Sequence, residues 1–427
     1  MIRKSPSEPE SPGLTGPVGS AMHDRLQPDH SIDRVRNGSA ESRPRLPRRR
    51  EADLQRRQER GELRVRAAAD YRRLVEEQGL AEAYAATDVV VAADAGFTDQ
   101  GSLHLSLGPS DPPIRLRDAQ LDGVSGLAGG GAGELVLPLG GGLGEPLRRG
   151  GAQLLAALLQ GESLPLDASG EATAQHPRRE LHTLLSLSQI GGARLLLQRA
   201  VVENGVVAVS SASGICPSPW GPLLGPHHTA LYSCGGAGSI GLTMPGLHQL
   251  GAGSPLLVAG AIGWVVGPGS GHHPGVRRQA SGHALSPGAA AALSVAVHEL
   301  DSRWIRPCFF EGHGSALLVA IAAPVLLLDG TIAAQAAAPA ESLQAPVLDL
   351  AIPRRVKPAL GNVNYAELAS GTLTVESRSL RCAPAHSPRL AAEITAELVE
   401  RLQHNHFPLR LPSAPLGERS TLLPLAD

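Results

Sequence analysis

The run Thr87 to Ala93, TDVVVAA, decides the fold class that we predict for this chain. It is a β-branched run of strand length, and it is continuously apolar where a half-exposed strand would alternate. A continuous run is typical of a strand that is buried on both faces. Before it, charged residues with loosely recurring leucines and valines extend from Arg48 to Gly79, with a break at Gly61, and predict one or two helices. A helix followed by such a strand indicates an α/β protein.

Outward from this strand, further helical and strand patterns follow along the chain. The predicted helices are Gly151 to Gly161, Leu181 to Leu197, Ala289 to Asp301 and the amphipathic segment Ser387 to Leu402. The predicted strands are Val201 to Val209, Leu256 to Val266 and an apolar strand pair between Phe309 and Asp329, with one further element hidden in the glycine-rich tract Gly126 to Gly144. Ala333 to Ala345 is interpreted as a linker. These patterns predict an α/β fold with a glycine-rich mixed sheet and flanking helices.

Composition divides the chain and excludes several partners. Residues 1–47 are rich in Ser, Pro, Arg and Gly, so we expect a disordered basic leader before an α/β domain at 48–416 and a tail at 417–427. A net charge of −2 gives no overall basic field for nucleic acid, and the longest apolar runs are too short to span a bilayer. Four cysteines without a CxxC motif or a secretory signal predict reduced thiols in the cytoplasm.

The segment Asp349 to Gly371, DLAIPRRVKPALGNVNYAELASG, concentrates the most varied polar chemistry. It contains Lys357, and the polar residues around this lysine are Arg354, Arg355, Asn362, Asn364, Tyr365 and Glu367. Two prolines predict an extended, stiff segment that holds an anionic or carbonyl-bearing ligand. Lys357 either forms a Schiff base with an aldehyde or joins the arginines in a carboxylate clamp. An ordinary surface loop with solvated charges is the alternative interpretation.

Three further groups of residues are candidates for chemistry. Glu311 and His313 in FFEGHGS stand on one face if the backbone is extended, where they would share a proton in acid/base work. The pairs His227-His228 and His272-His273 are interpreted as loop or capping histidines, and no metal site is predicted. Cys216, which precedes a proline in a turn, is the candidate sulfur carrier among the cysteines, although an inert structural role stays open.

Several segments in order carry a resemblance to the homocysteine biosynthesis family, whose members resemble L-aspartate semialdehyde sulfurtransferases. The resemblance extends from about Asp53 to Leu416. The segments are QERGELRV, LGPSDPPIRL, RRGGAQLLAALLQGESLPLDASG, QHPRRE, VAGAIGWVVGPGSGHHPG, CFFEGHGSALLVAIAAPV and VLDLAIPRRVKPALGNVNYAEL. The resemblance implies sulfur insertion into L-aspartate semialdehyde from a sulfur donor, with cysteine thiols carrying the sulfur. No cofactor is expected, and a homo-oligomer is possible.

This chain departs from the family at the thiol positions. Asp99 in GFTDQGS and Gln175 in ATAQHPRRE stand where the family has cysteines, and neither side chain forms a persulfide. The resemblance implies a retained substrate pocket walled by Asp111, Arg178, Glu311, Lys357, Asn362, Asn364 and Tyr365. Two hypotheses follow: an enzyme that uses another thiol or free sulfide, or an inactive binding or regulatory scaffold. A carbonyl-acting enzyme of another class, using Lys357 or the Glu311 and His313 pair, is the third hypothesis.

Overall fold

The computed structural model describes residues 46–142 and 149–418, which belong to one compact unit, Arg45–Asp427. Most of the predicted leader and the end of the predicted tail lie outside the described residues. The helices are α1 (Glu51–Glu59), α2 (Ala68–Gln78), α3 (Leu80–Ala85), α4 (Gly151–Leu159), α5 (Ile240–Thr243), α6 (Gly330–Ala336), α7 (Tyr365–Ala369) and α8 (Pro388–Gln403). In the part of the chain that is described, no helix is long and apolar enough to cross a membrane.

Strands supply most of the architecture. They are β1 (Val65–Ala67), β2 (Val89–Thr98), β3 (Gly101–Leu107), β4 (Leu116–Leu121), β5 (Val124–Ala128), β6 (Glu134–Pro138), β7 (Leu164–Gly170), β8 (Glu180–Leu185), β9 (Ile190–Val202), β10 (Val207–Val209), β11 (Gly214–Cys216), β12 (Leu223–Gly225), β13 (Thr229–Tyr232), β14 (Pro255–Val258), β15 (Ala261–Pro268), β16 (Ala290–Ala296), β17 (Ile305–Phe310), β18 (Gly314–Leu326), β19 (Gln344–Asp349), β20 (Ala359–Asn364), β21 (Thr372–Val375) and β22 (Arg378–Pro384).

A 14-stranded sheet carries the larger core. Its order is β1-β2-β18-β14-β15-β16-β9-β3-β6-β5-β4-β7-β8, with β17 paired to β18. β1 runs parallel to β2 and the other pairs are antiparallel, so the sheet is mixed. The valines of β2 are 0% exposed and every residue of β18 is buried, because these neighbouring strands lie in the middle of the core. Helix α8 packs on both strands and covers them.

A smaller six-stranded sheet has the order β20-β19-β10-β13-β22-β21. It is also mixed, since β10 runs parallel to β19 and β13 runs parallel to β22. Its strands enclose a second apolar cluster that includes Val207, Val347, Tyr365 and Cys234. The strands β11 and β12 form a separate two-stranded hairpin. The described residues therefore contain two mixed sheets with helices against them, which confirms the predicted fold class.

Several predicted elements are confirmed. The valine run is β2, Gly151 to Gly161 contains α4, and the charged segment after Arg48 contains α1 and α2 on either side of the break at Gly61. The predicted C-terminal amphipathic helix is α8, whose apolar stripe is fully buried, with Leu390, Ile394, Leu398 and Leu402 at 2% exposure or less. A capping serine at Ser387 and a proline at the first turn begin this helix. Residues of the glycine-rich tract form the strands β5 and β6.

Two predicted helices are wrong, because both segments are strands. Leu181 to Leu197 contains β8 and the first half of β9, and β9 alternates buried and exposed side chains with the period of a strand. Ala289 to Asp301 contains β16, an alanine-rich strand between β15 and β9 followed by a short 3₁₀ turn. Small alanines suit a strand with neighbours on both sides and buried faces, so tertiary packing overrides their helical preference.

Other boundaries also differ from the predictions. Leu256 to Val266 is a hairpin, β14 and β15, because Ala259 and Gly260 adopt positive φ of 44° and 86° in a two-residue turn. A strand pair was expected between Phe309 and Asp329. This segment contains the last two residues of β17 and one 13-residue strand, β18. The predicted linker contains α6, which Asp329 caps by accepting two backbone amides. Val201 and Val202 end β9, and only Val207–Val209 of the predicted strand forms β10.

Candidate functional site

The candidate site is a partly open cavity of about 360 Å³ lined by residues of the larger and the smaller sheet, which we call the inner cavity. From the larger sheet it is lined by β2 and the residues after it, by the end of β9 and by the middle of β18. From the smaller sheet it is lined by the residues just before β10, just after β13 and just after β22. Trp220, in the hairpin loop between β11 and β12, completes the wall. A cavity of this size fits a small metabolite.

Asp94 is the carboxylate on the buried strand β2 that lines the inner cavity. The Ile240 amide, at the start of α5, donates a hydrogen bond of 3.0 Å to its Oδ2. Burial raises the pKa of Asp94 to about 6, and this one backbone hydrogen bond offsets only part of the desolvation. An acid with such a pKa exchanges protons near neutral pH, which suits it to proton transfer or to binding an ammonium group.

Cys234 supplies a thiol to the same cavity and is 8% exposed. Burial raises the pKa of this thiol, and the nearby negative charge of Asp94 raises it further. Hydrogen bonds with the side chains of Ser239 and Tyr365 act in the opposite direction. Because the thiolate is the reactive form, these surroundings keep Cys234 in its less nucleophilic, protonated state.

Tyr365 and Asn204 fix the wall behind this thiol. The buried Tyr365 hydroxyl donates a 2.7 Å hydrogen bond to Asn204 Oδ1, and burial raises the pKa of the phenol well above its ordinary value. The Asn204 amide donates to the carbonyls of Ala284 and Gln344 at 2.8 and 2.7 Å. Asn204 thus joins β19 of the smaller sheet to the loop between β15 and β16, and its bond to the phenol holds Tyr365 behind the cavity wall.

Asp99 and His313 form an acid–imidazole pair beside the inner cavity, and Asp99 is one of the lining residues. His313 Nε2 lies 3.0 Å from Asp99 Oδ2. The pair forms because β2 and β18 are antiparallel neighbours, which brings the end of β2 next to the turn before β18. The condition under which Glu311 and His313 would share one face, an extended backbone, is not met: both residues lie in the β17–β18 turn, and the imidazole contacts Asp99 instead.

Arg199, near the end of β9, brings a positive charge to the cavity. Its guanidinium donates to the Ser270 carbonyl at 3.1 Å, and burial lowers the pKa of the group. None of the carboxylates in residues 46–142 and 149–418 forms an ion pair with it. A half-buried guanidinium whose hydrogen-bond partner is a carbonyl has capacity left for an anionic ligand.

The predicted cluster after Asp349 is spread over a loop, a strand and a helix. Lys357 lies in the loop between β19 and β20 and donates to the Ile352 carbonyl at 2.6 Å, outside the residues that line the inner cavity. Asn362 is exposed on β20, and Asn364 caps α7 by accepting the Glu367 amide at 2.8 Å. Tyr365 begins α7, and its hydroxyl alone reaches the cavity wall. The prediction that the whole segment is extended is therefore wrong for Tyr365–Ala369, which is helical.

A different group of predicted residues lies at the β4, β7 and β8 end of the larger sheet. Arg178 Nη1 is 3.4 Å from the Asp111 carbonyl, and residues 114 and 178 form an isolated parallel bridge. Gln175 is exposed in the loop between β7 and β8. Asp111 and Arg178 are therefore close to each other, and neither they nor Gln175 line the inner cavity. Glu311 is exposed in its turn.

The other three cysteines and the predicted pair His272-His273 lie outside the residues that line the inner cavity. Cys216 ends β11, where its thiol is 3.6 Å from the Pro217 carbonyl. Burial raises the pKa of Cys308, and that of Cys382 to about 12. His272 accepts the Ala290 amide at Nδ1, and its Nε2 donates to the Gly417 carbonyl. Among the described residues, no group of three His, Cys, Asp or Glu side chains is arranged to hold a metal ion.

Sequence reasoning missed most of the inner cavity. Asp94 carried a detectable signal, since a carboxylate interrupts an otherwise apolar strand that is predicted to be buried on both faces. Arg199, Asn204 and Cys234 carried none, because they come together only through the pairing of strands distant in sequence. Asp99 was singled out for its place in a family motif and not for its partner His313.

The fold and the cavity define an α/β protein whose cavity wall carries both acidic and basic side chains. A family described as homocysteine biosynthesis enzyme, sulfur-incorporation, matches residues 63–409. L-aspartate semialdehyde sulfurtransferase of Methanosarcina acetivorans is 29% identical over 368 residues, 84% of this chain and 70% of the relative. The protein of the same name from Methanocaldococcus jannaschii is 25% identical over 369 residues, 81% of this chain and 69% of the relative. No solved structure matches significantly.

Because the family match spans most of the chain, this protein belongs to the sulfur-incorporating homocysteine biosynthesis enzyme family. The two relatives support an enzyme of the sulfurtransferase class. The inner cavity, at the junction of the two sheets, lies inside the matched residues.

Proposed function

We propose that this protein incorporates sulfur into L-aspartate semialdehyde and that the inner cavity holds this substrate. The names of its relatives support the substrate, and the cavity supports its place. The single observation that carries the proposal is the presence of an arginine without a carboxylate partner in the same cavity as two aspartates. An α-amino acid presents one carboxylate and one ammonium group, so it is complementary to this set of charges.

Each end of the substrate then has a partner. Arg199 binds the α-carboxylate, because its guanidinium is half-buried and bonded only to a backbone carbonyl. Asp94 binds the α-ammonium group, which offsets the desolvation that raises its pKa to about 6. The aldehyde carbon is left as the electrophile for sulfur. Asp99 and His313 stand beside the cavity as the pair that takes up or gives the proton of that addition.

The chemical balance defines what else the reaction consumes. Hydrosulfide adds to the aldehyde carbon, the oxygen leaves as water, and two electrons with two protons are needed to reach the thiol of homocysteine. A sulfur donor and a two-electron reductant are therefore co-substrates of the proposed reaction. In the active site the protein orients the aldehyde and manages protons, which are the contributions available from these side chains.

Free sulfide is the sulfur source that this chain favours. Asp99 and Gln175 stand at the positions where the resemblance implies cysteines, and neither side chain carries sulfur. The thiol in the cavity, Cys234, has its pKa raised by burial and by Asp94, so it is a poor nucleophile. Cys216 is the fallback carrier, but it does not line the cavity.

The test is homocysteine formation by the purified protein from L-aspartate semialdehyde, sulfide and a sulfur-free low-potential reductant. A variant with all four cysteines changed to serine is assayed beside it. We expect turnover in both proteins, because sulfide acts directly. Turnover that the serine variant loses would instead assign the sulfur to a protein thiol, and single Cys234→Ser and Cys216→Ser variants would then identify it.

A binding or regulatory role without turnover is the second candidate function. The raised pKa of Cys234, together with the absence of cysteine at Asp99 and Gln175, is the observation that favours it. Substrate binding in calorimetry without homocysteine formation under any sulfur donor would support this role.

A further inference from the structure

A second, larger hollow of about 830 Å³ lies next to the inner cavity, and we call it the outer groove. It is lined by the start of α2, by residues 235 and 237–239 after β13, and by one face of α8. The exposed Ala392 and Ala396 of α8 lie along it, so it is open to solvent. Asp94, Ala95 and His386 line both hollows, which makes these residues the shared wall.

The loop Ser233 to Ser239, SCGGAGS, forms the rest of that wall. Cys234 lines the inner cavity, whereas Gly235, Gly238 and Ser239 line the outer groove. Gly236 between them has a φ of +74°, and a Cβ there would lie 2.7 Å from the Tyr365 ring, so glycine is required. Because the loop consists of small residues, only a thin layer separates the two hollows.

The outer groove contains an arginine without an acidic partner. Arg72 of α2 donates to the Ala237 carbonyl at 3.3 Å, so its guanidinium lies against the dividing loop. Within the described ranges 46–142 and 149–418 it forms no ion pair, and Glu76 on the next turn acts on it only at longer range. The groove is also lined by three carboxylates: Asp70, which is paired with Arg73, Glu400 near the end of α8, and Asp94 of the shared wall. The groove therefore presents a positive group to a ligand close to the inner cavity.

We infer that the outer groove binds the sulfur donor as a small inorganic sulfur anion held by Arg72, one side-chain layer from the aldehyde in the inner cavity. The identity of the ligand rests on the proposed function, which requires a second, sulfur-bearing substrate. The position rests on the shared wall at Asp94 and His386. The sign of the ligand's charge rests on the unpaired guanidinium, which favours an anion.

The binding test uses thiosulfate, a stable sulfur anion, titrated calorimetrically into the full-length protein. Arg72→Gln should weaken thiosulfate binding at least tenfold. Arg389→Gln is the matched control, because this exposed α8 arginine carries the same charge, pairs with Glu393 and does not line the groove. We expect the control to bind thiosulfate within twofold of the wild type.

A kinetic test asks whether the sulfur donor reaches the aldehyde through the outer groove. Ala396→Trp places a large side chain in the groove from an exposed helical position, so the variant is expected to fold. It should raise the KM for sulfide severalfold and leave the KM for L-aspartate semialdehyde unchanged. Equal thiosulfate affinity in the wild type and Arg72→Gln, or no binding to either, would overturn the inference. Arg72-dependent binding by a protein that forms no homocysteine would support the anion site and overturn the proposed function instead.

Discussion

Replacing Arg199 by methionine tests the placement of the substrate. Arg199 is half-buried in the inner cavity wall, and its one hydrogen bond, to the Ser270 carbonyl, leaves other guanidinium protons for the α-carboxylate. A hydrogen bond to a charged group contributes about 1.5–3 kcal/mol. Since every 1.4 kcal/mol is a tenfold change, Arg199→Met should weaken binding of L-aspartate semialdehyde by about 10- to 150-fold.

Ligand binding is measured by titration, and the signal is the fluorescence of Trp220, which lines the same cavity. Trp220→Phe identifies the part of the signal that comes from this residue. The ligand pair is L-aspartate semialdehyde and 3-aminopropanal, which has no α-carboxylate. The wild type should prefer the amino acid, and Arg199→Met should lose that preference while its affinity for 3-aminopropanal stays the same.

Arg194→Met is the matched control, because Arg194 is an exposed arginine on the same strand, β9, and does not line the cavity. We expect the control to bind both ligands as the wild type does. Wild-type affinity in Arg199→Met, or an equal loss in Arg194→Met, would refute the assignment of the α-carboxylate to Arg199.

Three further predictions concern stability, each measured by urea unfolding. The pKa of Asp94 is raised to about 6 in the folded protein, so the folded state keeps its proton at a pH where the unfolded chain has lost it. The free energy of unfolding of the wild type should therefore fall by on the order of 1 to 3 kcal/mol relative to that of Asp94→Asn as pH rises from about 4 to 6. Parallel pH profiles of the two proteins would contradict this. Tyr365→Phe, which removes the 2.7 Å bond to Asn204, should cost about 1 kcal/mol, and no loss would show this bond to be dispensable. Glu203 is fully buried against Arg278, so Glu203→Gln should cost about 3–5 kcal/mol, whereas a loss below 1 kcal/mol would argue against a buried ion pair.

The sequence predicted the elements whose pattern is local. The valine run of β2 and the leucine stripe of α8 are visible in a short window, because burial on both faces or on one helical face leaves a fixed spacing. β16 was mistaken for a helix, since its alanines reveal neither period and its neighbours β15 and β9 are remote in sequence. Its identity depends on tertiary pairing.

The site was less predictable than the fold for the same reason. Lys357 and Asn362 were chosen because they cluster in sequence, and they lie on a loop and an exposed strand outside the cavity wall. Asp99 pairs with a histidine more than 200 positions away, and no short window contains both residues. Arg199 and Cys234 line the same cavity because the two sheets join there. The polar residues that cluster in sequence thus form a polar loop in this protein. The residues that line the cavity could be predicted only from the order of the strands in the two sheets.

The most direct test of the proposed function is homocysteine formation by wild type and Arg199→Met from L-aspartate semialdehyde, sulfide and a sulfur-free reductant, with Arg194→Met as control. We predict turnover by the wild type and the control, and a loss of at least tenfold in kcat/KM for Arg199→Met. A folded wild-type protein that binds the aldehyde but forms no homocysteine with any sulfur donor would contradict the proposed function.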